Sequence, residues 1–480
     1  PNADQKRMLL GNYNGEPSDA VTPLRGIRAA VSARTKVIYA RGSDLADDFP
    51  VLDVAPSSLL STPDGKPGLH VEYFAGQQMD NAARFVGTDS TIDADWGDGA
   101  PRAELNVDDF SVRWTGNLRA RESGTYRLGL VGTMKFALYL NDSLIFRSVY
   151  AQRGGEFPDP RAVQSTPMQL EAGKSYRLRV EAQETYGDAQ LQLILAQPHE
   201  TLEADAVRAA QQADAVVIVL GLTARLEGEE MPVAIDGFRG GDRTRIDLPA
   251  AQQRLLERIV AVGKPTVLVL LNGSALAVNW AQDHVPAIIE GWYPGQAGGT
   301  ALADVIFGDY NPAGRLPVTF YRDTTDLPPF SNYDMAGRTY RFFAGKPLYP
   351  FGHGLSYTTF TYTKLHTSTP TLAANGVVTV KVDVTNTGKR AGDEVVQMYV
   401  HHLASKVTRP NRDLRGLRRV TLKSGETRTV SFPLAASSLA YWDEKTHAWV
   451  VENAPVSIEV GASSADIRLR HTLRIVAKPR

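Results

Sequence analysis

Two uninterrupted apolar runs, AVVIVL at 215–220 and TVLVLL at 266–271, constrain this chain more than any other feature. Neither alternates polar with apolar residues. A strand formed by either must therefore be covered on both faces, as in a parallel sheet between helices. Helical spacing appears between them at 250–262, before them at 203–213 with Leu202, Ala206, Val207 and Ala210 on one face, and after them at 300–307. The runs at 35–39 (TKVIY), 287–293 and 316–320 are expected as further strands of the same α/β domain. In such sheets ligands sit at the carboxyl ends of the strands, so chemistry is to be sought just after Leu220 and Leu271.

Two other textures accompany this one. From 69 to 197 helix periodicity is lost, and alternating runs at 69–74, 110–118, 124–129, 136–140, 175–182 and 191–195 are separated by turns such as Asn141-Asp142 and Ala172-Gly173. That pattern predicts a β-sandwich. With α/β texture on both sides it reads as an insert, with DGKPG at 64–68 as its entry linker. From about 365 onward, runs at 377–384, 394–400, 427–433 and 456–460 predict a second, Ig-like sandwich. The boundaries expected are 1–63 and 199–362 for the α/β domain, 64–198 for the insert, and 363–480 for the last sandwich. Three domains suit 480 residues at about 150 residues per domain.

Composition excludes several function classes. Lys and Arg number 52 against 53 Asp and Glu, a formal net charge of −1, so no field favours nucleic acid or an anionic membrane surface. The apolar runs fall far short of the ~20 residues a membrane helix needs. The chain has no cysteine, which removes disulfides, thiol nucleophiles and Cys-ligated zinc. His401 and His402 are adjacent on an expected strand and so point to opposite faces. No metal or other cofactor is expected. The opening Pro1-Asn2-Ala3-Asp4 carries no signal-peptide pattern and reads as a cut inside a loop of a longer polypeptide.

The strongest chemical feature is GLTARLEGEEM at 221–231, directly after the first apolar run. Glu227, Glu229 and Glu230 crowd one loop, and a carboxyl raised by like-charged neighbours serves as a general acid. The competing reading is acidic surface facing solvent. Glycoside hydrolysis needs a second carboxyl ~5 Å away across the sugar, and residues two apart on a loop point apart, so that partner is expected elsewhere. In DGFRGGDRTRIDLP at 236–249, Gly240-Gly241 permits close backbone approach, Asp242 and Arg243 are candidates for orienting a carboxylate or hydrogen-bonding hydroxyls, and the competing reading is a structural turn with Asp247 near the cap of a helix starting at Pro249. GWYPGQAGG at 291–299 lacks the Lys-Ser/Thr of a phosphate loop and reads as a structural turn. Trp96, Trp114, Tyr73, Phe74, Tyr126 and Tyr139 are expected in the insert's core. Tyr150, Arg153, Glu156 and Asp159, on the polar segment 149–167, are candidates for a ligand-facing loop.

These residues resemble glycoside hydrolase family 3. GWYPGQAGGTALADVIFGDYNPAGRLPVTFY at 291–321, GRTY at 337–340 and YPFGHGLSYTTF at 349–360 are similar to that family's C-terminal α/β-sandwich domain. NTGKRAGDEVVQMY at 386–399, with Leu414-Arg415-Gly416 and 461–466, is similar to its fibronectin type III-like tail. HVEYF at 70–74, SVRWTG at 111–116 and ESGTYRLGL at 122–130 resemble a protective-antigen-like carbohydrate module. The resemblance covers nearly the whole chain.

It implies an α/β-sandwich domain interrupted by a β-sandwich insert and followed by a fibronectin type III-like β-sandwich. It further implies the C-terminal part of a retaining, exo-acting β-glycosidase, with Glu229 as general acid/base and Glu227 as a supporting or alternative residue. Asp242, Arg243, Tyr150, Arg153 and Glu156 are the substrate-binding candidates. The nucleophilic Asp belongs to an N-terminal (β/α)8 barrel that these residues do not include, so the chain alone is expected to be inactive. GNYNG at 11–15, with Thr22-Pro23-Leu24 downstream, is similar to the xylosidase branch, and the insert to β-glucosidases, so terminal xylose or glucose is the expected product. The remaining expectations are an oligosaccharide partner, the barrel as same or separate chain, a homodimer, and a periplasmic or secreted location. The alternative is a non-catalytic carbohydrate-binding assembly.

Overall fold

The strands Val216–Gly221, Thr266–Leu271 and Ala287–Glu290 form a three-stranded parallel sheet with Thr266–Leu271 in the middle. The computed structural model describes residues 1–15, 17–47, 49–148, 162–185, 187, 189–196, 198–230 and 233–476. It divides into two units, one of Pro1–Tyr39 with Ala210–Arg480 and one of Ala40–Ala209.

In the first unit, helix Ala250–Val260 links the first two strands and buries Leu255, Leu256 and Ile259. The short helix Asn279–His284 links the second and third. Helix Gly298–Phe307 follows the third strand and packs against Pro23–Ala30, whose first turn is capped by the Thr22 hydroxyl accepting from Arg25 N–H. That crossing needs two glycines. A Cβ on Gly26 would lie 2.1 Å from Gly299 O, and one on Gly299 would lie 2.0 Å from Thr22 O.

Two expected strands are absent. Residues 35–39 join no ladder, and Ile38 and Tyr39 stay exposed. Strand propensity alone does not make a strand, and no neighbouring strand receives this run. In 316–320, Pro317 lacks the N–H a ladder needs, and only an isolated bridge from Phe320 to Tyr349 forms.

The same unit contains the C-terminal sandwich. One sheet holds Phe360–Thr367, Val377–Asn386 and Thr427–Ala435; the other runs Thr371–Ala373, Ile467–Val476, Pro455–Gly461, Gly392–His402 and Asp413–Leu422. Alternation in Val377–Asn386 sends Val378, Val380, Val382 and Val384 inward against Val396, Met398, Phe432 and Ile458. A buried seam joins it to the α/β part. Arg315 and Glu394, 8% and 3% exposed, pair at 3.4 Å. Tyr362 donates to Glu394 at 2.8 Å, and Gln397 donates to Gly352 O at 3.0 Å.

The second unit is a sandwich of two antiparallel sheets. One contains Gly124–Gly132 between Gln190–Ala196 and Ala162–Leu170; the other is built on Leu69–Ala75, Phe110–Arg119, Ser175–Glu184 and Lys135–Leu140. Trp114, Tyr73, Phe74 and Tyr126 are buried, and Trp114 Nε1–H reaches Asp89 at 2.7 Å. Trp96 packs on the core from its edge, and the Arg179 guanidinium lies over the Tyr139 ring at 3.8 Å.

Two expectations change here. The segment 64–68 is a turn within the unit, because Leu60–Ser61 before it already pairs with Phe110–Arg119. Residues 162–167 are not loop but the start of Ala162–Leu170, paired along its whole length with Gly124–Gly132. The candidates Tyr150, Arg153, Glu156 and Asp159 lie outside the described residues.

Candidate active site

Three loops leave the carboxyl ends of the parallel strands, and one side chain gathers them. Glu227, from the loop after Val216–Gly221, accepts from Gly273 N–H at 2.5 Å and from the Ser274 hydroxyl at 2.5 Å, both after Thr266–Leu271. It also accepts from the Tyr293 hydroxyl at 2.5 Å, after Ala287–Glu290. Hydrogen bonds to an ionisable carboxyl are the strong ones, and three of them fix this end of the loop. Burial and the nearby Glu227 charge hold the Tyr293 phenol protonated well above its ordinary value.

Arg243 completes the brace. Its guanidinium donates to Ser274 Oγ at 3.1 Å, Ala275 O at 2.9 Å and Asp247 O at 3.0 Å. Burial pushes this guanidinium down from its usual value, while the charges of Glu227 and Asp247 oppose the shift. Its neighbour Asp242 is exposed, as expected of adjacent residues on a strand. Gly241 shows how closely the two loops approach. At φ +89°, a Cβ there would sit 1.7 Å from Gly228 O.

Two residues after Glu227 the environment reverses. Glu229 is exposed, and its Oε2 accepts from the Tyr13 hydroxyl at 2.6 Å. Glu230 follows in the left-handed region at φ 47°, an unfavourable conformation for a residue with a Cβ.

One expected cap is corrected. The helix begins at Ala250 with Pro249 at its cap and no side-chain cap bond. The Asp247 carboxylate is taken instead by Arg245, at 3.1 and 2.5 Å.

Sequence reasoning missed Glu290, Tyr293 and Tyr13. Glu290 ends the third strand, and burial pushes its carboxyl up to about 8, although Trp292 N–H and Asn272 favour the charged form. Trp292 N–H donates to Glu290 Oε1 at 3.1 Å, and Trp292 itself is held at φ 52°. Its signal was available: a carboxylate closing the apolar run AIIE. Tyr293 lay in a stretch read as a plain turn, and Tyr13 in a motif read only for its resemblance. Among the described residues no cluster of three or more metal-ligating side chains occurs, and no helix is long and apolar enough to cross a membrane.

Comparisons with known proteins place the chain in a family. The model of the glycosyl hydrolase family 3 C-terminal domain matches residues 1–357, and that of the fibronectin type III-like domain matches 394–464. The chain belongs to glycoside hydrolase family 3. It is 36% identical over 478 residues to a xylan 1,4-beta-xylosidase of Xylanibacter ruminicola, covering 98% of this chain and 53% of the relative. It is also 41% identical over 276 residues to a periplasmic beta-glucosidase of Salmonella typhimurium, covering 55% of this chain and 35% of the relative. Among solved structures, a beta-glucosidase from Kluyveromyces marxianus matches with TM-score 0.72 at 27% identity, covering 99% of this chain and 58% of that one. The chain thus spans about half the length of the curated relatives it matches over its whole extent.

Proposed function

We propose that this chain supplies the acid/base half of a retaining, exo-acting β-glycosidase that releases terminal β-linked xylose or glucose. Glu229 is the proton carrier, and the nucleophilic Asp stands on an N-terminal barrel beyond these residues. The observation that carries the reading is the division of labour in one loop. Glu227 is bound by three donors from two other loops, whereas Glu229 stands exposed with one.

In the first step the Glu229 carboxyl gives its proton to the glycosidic oxygen as the C1–O bond breaks and the nucleophile bonds to C1. In the second the Glu229 carboxylate takes a proton from water as the water oxygen bonds to C1 and releases the nucleophile. Within this proposal Glu227 and Arg243 are braces. Asp242, exposed beside the loop, remains the candidate for sugar hydroxyls. Xylose is favoured by the xylosidase relative aligned over 98% of the chain; glucose is favoured by the match to a beta-glucosidase structure over 99%. The periplasmic beta-glucosidase of Salmonella supports export to the periplasm or beyond.

The test is Glu229→Gln in the full-length enzyme, assayed on aryl β-xylosides and β-glucosides. Turnover of substrates with poor leaving groups should fall by ~10²–10⁴-fold, with activated aryl glycosides less affected. An unaffected variant would support the carbohydrate-binding alternative or move the role to Glu227. The ratio of the two sugars names the substrate.

A further inference from the structure

Resting on the reading that Glu229 carries the proton, we propose that Tyr13 is a positioning residue that holds the Glu229 carboxyl through Oε2 and leaves Oε1 to exchange the proton. Three observations converge on it.

The first is that the Tyr13 ring is not packed into this chain. It is 88% exposed, and its backbone sits in the left-handed region at φ 55°, which is unfavourable for an aromatic residue. A solvent-facing aromatic side chain in a strained turn needs a reason to be there, and its hydroxyl donates to Glu229 at 2.6 Å.

The second is that the loop bearing Tyr13 is fastened to the same structure that fixes Glu227. Leu9, fully buried, precedes it, and Leu9 O accepts from Gly295 N–H at 2.9 Å. Gly11 lies so close to the Tyr293 ring that a Cβ there would be 3.2 Å from a ring carbon. Tyr293 is the residue that donates to Glu227. The two glutamates are thus held by two tyrosines that share one support.

The third is electrostatic and supports the geometry. The hydrogen bond to Glu229, followed by that residue's charge, keeps the Tyr13 phenol above its ordinary value. The hydroxyl therefore remains a donor throughout the range in which the enzyme would work. Tyr13 keeps its own proton in both chemical steps. What it contributes is the orientation of a side chain that an exposed loop alone leaves free to rotate.

The experiment is Tyr13→Phe in the full-length enzyme, with kcat/KM measured on aryl β-xylosides of graded leaving-group acidity. Proton donation matters most when the leaving group is poor. The expected result is a loss of about tenfold for poor leaving groups, a change of less than about twofold for dinitrophenyl xyloside, and an unchanged KM. Asn14→Ala, which removes only a local bond from Asn14 to Gly15 O, should leave the whole series unchanged. A uniform loss across leaving groups, or no loss, overturns the role of Tyr13. Running Glu229→Gln in parallel separates the two readings. If that variant shows no leaving-group dependence, the acid/base assignment falls and Tyr13 with it. If it does and Tyr13→Phe does not, Tyr13 alone is wrong.

Discussion

Glu227 and Glu229 are separated by a single glycine, yet they occupy opposite physical situations. Glu227 lies under its loop, where a backbone N–H and two hydroxyls from two other loops converge on its oxygens. Glu229 lies on top, in solvent, with one tyrosine hydroxyl beside it. The difference teaches how a flexible acidic loop becomes a precise one. One carboxyl is spent on fixing the backbone so that the other is placed without being buried. Gly228 belongs to the same device, since its carbonyl is where Gly241 makes its close approach.

The comparison breaks most visibly if the inner carboxyl is removed. Glu227→Ala leaves three donors without their acceptor and removes a nearby charge from Arg243, and should cost about 3 kcal/mol in urea denaturation. Glu229→Gln should stay within about 0.5 kcal/mol of the parent in the same experiment. Equal losses would mean that the outer carboxyl is structural as well.

Glu290 sharpens the picture through pH. Its folded value of about 8 lies above the ordinary 4.5, so the folded state holds a proton that the unfolded state releases between those values. The contribution to stability is therefore fully present below about pH 4.5 and is lost as pH rises toward 8. Glu290→Gln should flatten that decline in a melting-temperature series. An unchanged slope would show that Glu290 ionises normally and that the site is wetter than its burial implies.

The smallest effect separates the two tyrosines. Tyr293→Phe removes one of the donors to Glu227 and should cost about 1.5 kcal/mol. Tyr13→Phe should change stability by less than about 0.5 kcal/mol, because its ring is in solvent. Equal melting temperatures for the two variants would dissolve the distinction between brace and positioner.

Much of this was legible in the residues because it depends on local pattern. AVVIVL and TVLVLL read as buried parallel strands because both faces are apolar. The loop after Leu220 stood out because three carboxyls follow a strand at the end where such sheets place ligands. Trp114 and Tyr73 read as core from their strand alternation. What escaped depends on partners distant in sequence. Tyr13 meets Glu229 across 216 positions and Tyr293 meets Glu227 across 66, and no periodicity encodes either meeting. TKVIY misled because strand propensity does not supply a neighbour to pair with. Segment 162–167 misled because its polar residues occupy a strand beside Gly124–Gly132. Asp247 misled because Arg245, two residues away, took the carboxylate expected to cap a helix.

The seam between Arg315, Glu394 and Tyr362 has a consequence for what happens when the tail is removed. A tail joined only by a linker is lost or exchanged between relatives without harm to what precedes it. Here the guanidinium of one part and the carboxyl of the other are each nearly sealed from water, so deleting the tail strands a charge in the part that remains. The fibronectin-like sandwich is therefore less an appendage than part of the wall that seals the domain before it.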